Sequence, residues 1–390
     1  MNLRAKLLLD YYFGGLLHAI LRVPTILLGK LLRRDHDLSK CREIAVLKML
    51  GGGSLVIAYP ALLAIRRLPG LGRLTLITSP SIAPFGVLLG IFDEIVIVRD
   101  DRGLPTMAAD SLRAFRKLFR HDALIDLEIH SRLTTVFALL TAARNRIGFF
   151  TNISFWRRHL NTHLLFCNIT NGIYDFYDQL AQIFGTKPVD FAECRREFRS
   201  GLGEYASEGE KLRLAIAPAC SGLSAERMLR REEWLDIVAR RIAGRDPAEV
   251  ELHLLGAPSD RPELERLTAL LEGRFAGRVA IRNHAGKTSL RESVRIVAAM
   301  DEVLCIDSAL LHFSRLLGRR TVSFWGPTDP RTLIRPEPRG LDEIHYVKIP
   351  CSPCVHLSHQ PPCKGQNICM RLAVDPAAPV PRNQPWVLKG

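Results

Sequence analysis

The feature that most constrains this chain of 390 residues is a repeated change of period: short runs apolar on both faces alternate with longer segments whose apolar residues recur at helical spacing. Residues 44–50 (IAVLKML) form one such run; it ends in Gly51-Gly52-Gly53-Ser54, and 55–67 then reads as a helix. Further strands are expected at 74–78, 94–98 and 123–127, with helical spacing over 106–119 and 134–144. A second series opens at 212–217, with a helix around 232–242 and strands at 250–255, 279–282, 302–306 and 321–325. Runs apolar on both faces and separated by helices belong in a parallel sheet covered on both sides, so the expected fold class is α/β, with two doubly wound domains. Residues 195–210 (RREFRSGLGEYASEGE), polar and glycine-containing, read as the linker. Ligands of open parallel sheets bind beyond the carboxyl ends of the strands, so the chemistry is expected in the loops there, in a cleft lined by both domains.

The expected organisation is a helical segment at 1–40, Rossmann-like domains at 41–200 and 201–350, a cysteine cluster at 351–371 and a proline-rich tail at 372–390. A content of 47% hydrophobic and 24% charged residues excludes a disordered chain. The excess of 54 Lys and Arg over 40 Asp and Glu, a formal charge of +14, favours anionic partners. The basic residues are dispersed and no stacking-aromatic module accompanies them, so no nucleic acid is expected as a partner.

In the first segment, residues 7–32 are mostly apolar but interrupted by Asp10, His18, Arg22 and Lys30. The longest charge-free stretch, 11–21, is shorter than the roughly 20 residues a bilayer crossing takes. Asp10 also stands where the apolar region of a signal peptide would run. The segment therefore reads as an in-plane amphipathic anchor, kinked at Pro24, with Arg4, Lys6, Arg22, Lys30, Arg33 and Arg34 directed at an anionic membrane surface. The alternative is a helical hairpin packed on the protein's own core.

Nine cysteines without a secreted disulfide pattern fit a reducing compartment. Four of them, Cys351, Cys354, Cys363 and Cys369, fall within nineteen residues, with His356 and His359 between. A Cys-x-x-Cys pair on a proline turn presents two thiolates to one tetrahedral ion, and the second pair can close the site, with zinc as the default and iron the alternative. Reduced, partly buried thiols are the other reading. Any such metal is structural, and no cofactor is expected for catalysis.

The richest stretch is 305–330, CIDSALLHFSRLLGRRTVSFWGPTDP. A strand ends at Asp307, Ser308 and Ala309 open a helix, and His312 lies one turn in; backbone N–H groups at such a start suit a diphosphate. With this stretch the chain resembles glycosyltransferase family 9, the ADP-heptose:lipopolysaccharide heptosyltransferases of GT-B architecture. Four blocks in the family's order carry the resemblance: LKMLGGGSLVIAYPALLAIRRLPG, ALIDLEIHSRLTTVFALLTAARNRIGF, IAPACSGLSAERMLRREEWLDIVARRI and 307–330. The resemblance implies that Asp307, Ser308, Ala309 and His312 hold the donor's diphosphate and sugar, with Ala309 where glycine is usual. It implies that Arg227, counted back from Trp234, replaces the family's phosphate-binding lysine, and that Asp260 or Glu263 takes the ribose hydroxyls.

In the first block the chain departs from the family. Where family members carry Gly-Asp, whose aspartate deprotonates the acceptor, this sequence has Gly53-Ser54, and a serine is no base without a partner. Glu128, just beyond the strand at 123–127, is the expected substitute, with His130 next; Gly51, Gly52 and Gly53 offer amides to an anion such as an acceptor phosphate. The implied function is inverting transfer of a sugar, heptose from ADP-heptose foremost, to a lipopolysaccharide or other glycan acceptor. The implied place is the cytoplasmic side, peripheral on the inner face of the bacterial inner membrane. The alternative is a non-catalytic nucleotide-sugar or glycan binder that lost its base.

Overall fold

Each apolar run becomes a strand, buried on both faces in the interior of its sheet and partly exposed at the edges Glu94–Ile97 and Ala280–Asn283, and parallel neighbours are joined by crossovers long enough to hold a helix. The computed structural model describes residues 3–32, 34–168, 170–203, 210–220, 225–355, 361–363 and 365–379. The chain divides into two units, Met1–Cys194 and Arg195–Gly390. In the first, β1 (Glu43–Lys48), β2 (Arg73–Thr78), β3 (Glu94–Ile97), β4 (Ala123–Asp126), β5 (Asn145–Phe150) and β6 (His163–Phe166) form one sheet in the order β3-β2-β1-β4-β5-β6. Every pairing is parallel; Ile44 of β1 lies between Leu74 of β2 and Ala123 of β4. The helix Gly52–Arg66 is buried along nearly its whole length, as its unbroken apolar sequence requires.

The second unit repeats this connectivity with β7 (Leu212–Ala217), β8 (Val250–Leu254), β9 (Ala280–Asn283), β10 (Glu302–Ile306), β11 (Arg320–Trp325) and β12 (Asp342–Tyr346). The order is β12-β11-β10-β7-β8-β9, again all parallel. Its core gathers Leu214, Ile216, Leu252, Leu304 and Ile306 around Trp234, which meets Phe324 edge-on. The α/β class and the doubly wound architecture are as the sequence led us to expect.

The structure adds three strands to the expected set. β5 opens with Asn145 and Arg146 and contains Gly148, and β6 and β12 are edge strands with half-exposed, partly charged sequences, so none shows an unbroken apolar run. The presumed linker is helical over its first part, within Phe191–Leu202, because Arg195 is buried there, donating from Nε to the Arg315 carbonyl at 2.9 Å and pairing with Glu337. Residues 204–209 of that segment, and 380–390 of the tail, lie outside the described residues.

The N-terminal segment is one helical rod: Leu3–Leu9, a π-helical turn at Asp10–Gly14 and Gly15–Leu32, which continues through Pro24. Over Ala5–Leu32 it reaches 28 residues, a length and composition sufficient to cross a membrane. The charges that broke the sequence pattern at Asp10, Arg22 and Lys30 do not end the helix.

At the carboxyl edge of β4, the fully buried Arg157 donates to Asp126 Oδ2 at 3.2 Å and to the carbonyls of Ser131 (3.0 Å) and Glu128. Burial pushes the Asp126 carboxyl up to about 6, with the Arg157 guanidinium opposing. Removing one partner strands the other in the interior, so Arg157→Met is expected to cost about 3–5 kcal/mol in urea unfolding. Adding Asp126→Asn should return part of that loss. A loss below about 1 kcal/mol for Arg157→Met would show that the pair is not what holds this loop.

Candidate functional site

A strand order that reverses direction leaves, beside its first strand, one place where the loops from adjacent strands diverge, and here each unit has one. In the second unit it lies beyond β7 and β10. Ile306 ends β10, Asp307 follows, and Ser308 in extended conformation caps the helix Ala309–Leu316. From the loop after β7 the short 3-10 turn Ala225–Arg227 brings the Arg227 guanidinium over. Its Nη1 donates to the Asp307 carbonyl at 3.0 Å and to Asp307 Oδ2 at 3.1 Å. His312 Nε2 stands 3.8 Å from Asp307 Oδ1. Burial lowers the His312 imidazole to about 4, against the pull of Asp307, so the ring is neutral near pH 7 and can still donate one N–H. The Ser308 hydroxyl oxygen is buried and lacks a hydrogen-bond partner among the described residues, which in a native fold calls for a ligand or water. Ala309 begins the helix without a positive φ, so the usual glycine is not needed there.

Asp260 and Glu263 are separated by their surroundings. Asp260 accepts from the Ala257 amide at 2.8 Å and, with Arg227 and Asp307, lies near enough to influence the Cys220 thiol, which burial pushes up. Glu263 is paired with Arg231 at 3.2 Å and with Arg266 at 3.6 Å. Asp260 thus shares the surroundings of Cys220 with Arg227 and Asp307, while Glu263 is engaged by Arg231 and Arg266.

The first unit's reversal lies beyond β1 and β4. Gly51 has φ +74°, a conformation that favours glycine, and a Cβ on Gly52 would approach the Phe85 ring to 2.4 Å, so two of the three glycines are dictated by backbone shape and space. Glu128 reaches across from β4: its Oε1 accepts from the amides of Met49 and Leu50, both at 2.8 Å, and meets Lys48 Nζ at 3.3 Å. These two amides of the glycine loop are thus taken by the protein's own carboxylate, leaving Gly51, Gly52 and Gly53 as the candidates for an external anion. Ser54 lies near enough to the buried Tyr177 hydroxyl to influence it. Burial works against the Lys48 ammonium, yet Glu128, Tyr177 and Asp126 together hold it above its ordinary value. His130 lies exposed on the same loop as Glu128.

Sequence reasoning missed Lys48, Tyr177 and Arg157. Lys48 carried a faint signal, a lysine ending a strand that is otherwise buried; the other two are brought in from distant segments by the fold alone.

Cys351, Cys354, Cys363 and Cys369 line one pocket with Glu226, Pro327 and Asn367. Burial pushes the Cys354 thiol up to about 11 and that of Cys369 up to about 12, and the neighbouring cysteines add to this. Among the described residues no three His, Cys, Asp or Glu side chains stand in a ligand arrangement; His356 and His359 lie outside those residues.

With this geometry in view, residues 187–363 match the sequence profile of glycosyltransferase family 9 (heptosyltransferase). That stretch resembles the family over somewhat less than half of the chain. A lipooligosaccharide heptosyltransferase 2 from Haemophilus influenzae is 33% identical over 78 residues, 20% of this chain and 22% of that protein, so the chain spans about a fifth of the curated relative it matches. The solved ADP-heptose lipopolysaccharide heptosyltransferase II of E. coli superposes with a TM-score of 0.60 at 14% identity, over 85% of this chain and 98% of that one. The E. coli heptosyltransferase WaaC, solved with ADP-2-deoxy-2-fluoro heptose, gives 0.59 at 18% identity, over 77% of this chain and 92% of that one. At these identities the two structures speak for the fold, which is of the GT-B type. The matched stretch contains Arg227, Asp260, Asp307, Ser308 and His312.

The neutral His312 has a measurable consequence. An ordinary histidine of the unfolded chain protonates below about 6.5, while His312 stays neutral until about 4. The unfolded state therefore binds the extra proton in that window, and stability contributed above it is lost as pH falls from about 6.5 toward 4. Thermal melts across this range should fall less steeply for His312→Asn than for wild type. Parallel curves would show that His312 is not buried neutral.

Proposed function

We propose that this protein is an inverting glycosyltransferase that moves a sugar, heptose from ADP-heptose foremost, onto a lipopolysaccharide or other cell-surface glycan. The observation that carries the reading is the constellation of Arg227, Asp307, Ser308 and His312 at one helix start inside the stretch that matches family 9. In direct displacement at an anomeric carbon the leaving diphosphate gathers charge, which Arg227 and the amides at Ser308 and Ala309 are suited to stabilise. The acceptor hydroxyl must lose a proton. With a serine, itself no base, at position 54, Glu128 is the carboxylate we assign as base: Oε1 is anchored by Met49, Leu50 and Lys48, and Oε2 remains to take the proton. The acceptor is reached, in this reading, at the cytoplasmic face of an inner membrane, with the chain peripheral to an anionic surface. The departure at Ser54 favours one competing reading, a binder of nucleotide sugars or glycans without turnover.

A transfer assay with ADP-heptose and deacylated lipopolysaccharide acceptors separates the two. Glu128→Gln keeps an oxygen for the Met49 and Leu50 amides and is expected to lower turnover about a hundredfold or more with donor affinity unchanged. Unaltered turnover would remove Glu128 as base; saturable ADP binding with no product from any acceptor would favour the binder. Arg227→Ala should weaken ADP binding by about 1.5–3 kcal/mol in calorimetry, and unchanged binding would reject its contact with phosphate.

The shared pocket of Cys351, Cys354, Cys363 and Cys369 supports, as a further part of the proposal, one structural zinc or iron ion held by four thiolates drawn together on binding. Metal analysis of protein purified without chelator should give about one ion per chain, lost in Cys354→Ser. Metal-free, equally stable wild-type protein would leave these as buried thiols.

A further inference from the structure

We infer that the first unit carries a compound surface for an anionic bilayer, made of the N-terminal helix together with the loop after β5, and that the helix is clipped to the unit so that it lies along the membrane and does not cross it. The inference deepens the membrane-surface reading above and rests on it.

The clip is a set of specific contacts. Asp10 Oδ1 accepts from the Ser131 hydroxyl at 2.6 Å and the Leu133 amide at 2.9 Å, and Oδ2 from the Arg132 amide at 3.0 Å. An acid from one helix thereby caps the amino terminus of another, Arg132–Leu140, where the amides lack partners and the dipole favours negative charge. Arg132 in turn donates to the Tyr11 carbonyl at 2.7 Å and stacks on the Tyr11 ring at 4.5 Å. Gly14 lies so close that a Cβ would meet that of Arg132 at 2.8 Å. Lys6 pairs with Asp100 at 2.6 Å, and a His18 ring nitrogen meets the Trp156 carbonyl at 2.6 Å. Residues 6 to 18 are thus fastened along the unit. What extends beyond His18 to Leu32 is fourteen residues, about 21 Å of helix, against a hydrocarbon core of about 30 Å.

The free part has a bilayer's chemistry written on it. Ile20, Val23, Leu27 and Leu31, spaced to form one stripe, are 58–78% exposed, with Arg22 and Lys30 exposed on the same helix. The unit extends this surface beside the His18 contact. Ile153 is 80% exposed, and Phe155, the neighbour of Trp156, and Phe166 are about half exposed and joined through ring contacts with Phe150. The exposed Arg158 stacks over Phe155 at 5.7 Å. Exposed aliphatic and aromatic groups bordered by arginines and a lysine, on a chain of +14, match acyl chains beneath acidic headgroups.

The test uses the full chain and preformed vesicles, with and without phosphatidylglycerol. Wild type should sediment with the anionic vesicles and much less with neutral ones. Ile153→Ser/Phe155→Ser should weaken that binding at least fivefold with an unchanged melting temperature, and an N-terminal tag on bound protein should be fully digested by external protease. Wild-type binding with no effect of the double substitution would overturn the compound surface while sparing the membrane reading. Absence of vesicle binding by wild type would overturn both. A protease-protected tag would show that the helix crosses. Lipid-free self-association in ultracentrifugation that Ile153→Ser/Phe155→Ser abolishes would assign the surface to a second copy and overturn the proposal.

Discussion

The donor and acceptor sites proposed for this chain depend on one constraint: in a fully parallel sheet whose strand order turns back on its first strand, adjacent loops must part at one point on the carboxyl edge. Both units meet that constraint with the same connectivity, β3-β2-β1-β4-β5-β6 and its counterpart running from β9 to β12. At each parting a charged side chain crosses from one loop to the other. In the first unit a carboxylate, Glu128, crosses to the amides after β1; in the second a guanidinium, Arg227, crosses to the carbonyl and carboxylate of Asp307. The sign of the crossing group sets what each place can receive. A loop whose amides already hold a carboxylate has part of its anion capacity taken, whereas a cation beside a helix start adds to that capacity.

Burial then decides protonation. His312 is neutral because desolvation outweighs its aspartate, and Lys48 stays charged because the acids around it outweigh desolvation. Two groups at comparable depth are thus shifted in opposite directions, according to how many counter-charges lie within reach. The same logic explains Arg157 and Asp126, a buried pair that holds the Glu128 loop from beneath and leaves its carboxylate on the rim.

Much of the fold was legible because β1, β2, β4, β7, β8, β10 and β11 are buried on both faces and so are written as apolar runs. Even the edge strand β3, EIVI, kept enough of that pattern. β5 was hidden by Asn145, which is buried yet polar, and β6 and β12 by their exposed edges, where charged and apolar residues mix. For the candidate site, the stretch from Asp307 to His312 could be read because its members are close in sequence. Asp260 and Glu263 could not be told apart in the sequence, since both sit within one helical turn and differ only in what surrounds them. Lys48, Tyr177 and Arg157 owe their roles to contacts between segments far apart in the chain, which no local pattern encodes. The N-terminal helix teaches the same lesson: Asp10 looked like an interruption of an apolar run, and its partner is the start of another helix some 120 residues away.

The central claim is that the second unit's parting loops receive the nucleotide end of the donor. Hydrogen–deuterium exchange of the full chain with and without saturating ADP addresses it directly. The account predicts slowed exchange in the segments following β7 and β10, around residues 225–231 and 307–313, with amides 49–54 after β1 unchanged. Protection confined to the β1 loop, or no protection anywhere, would contradict it.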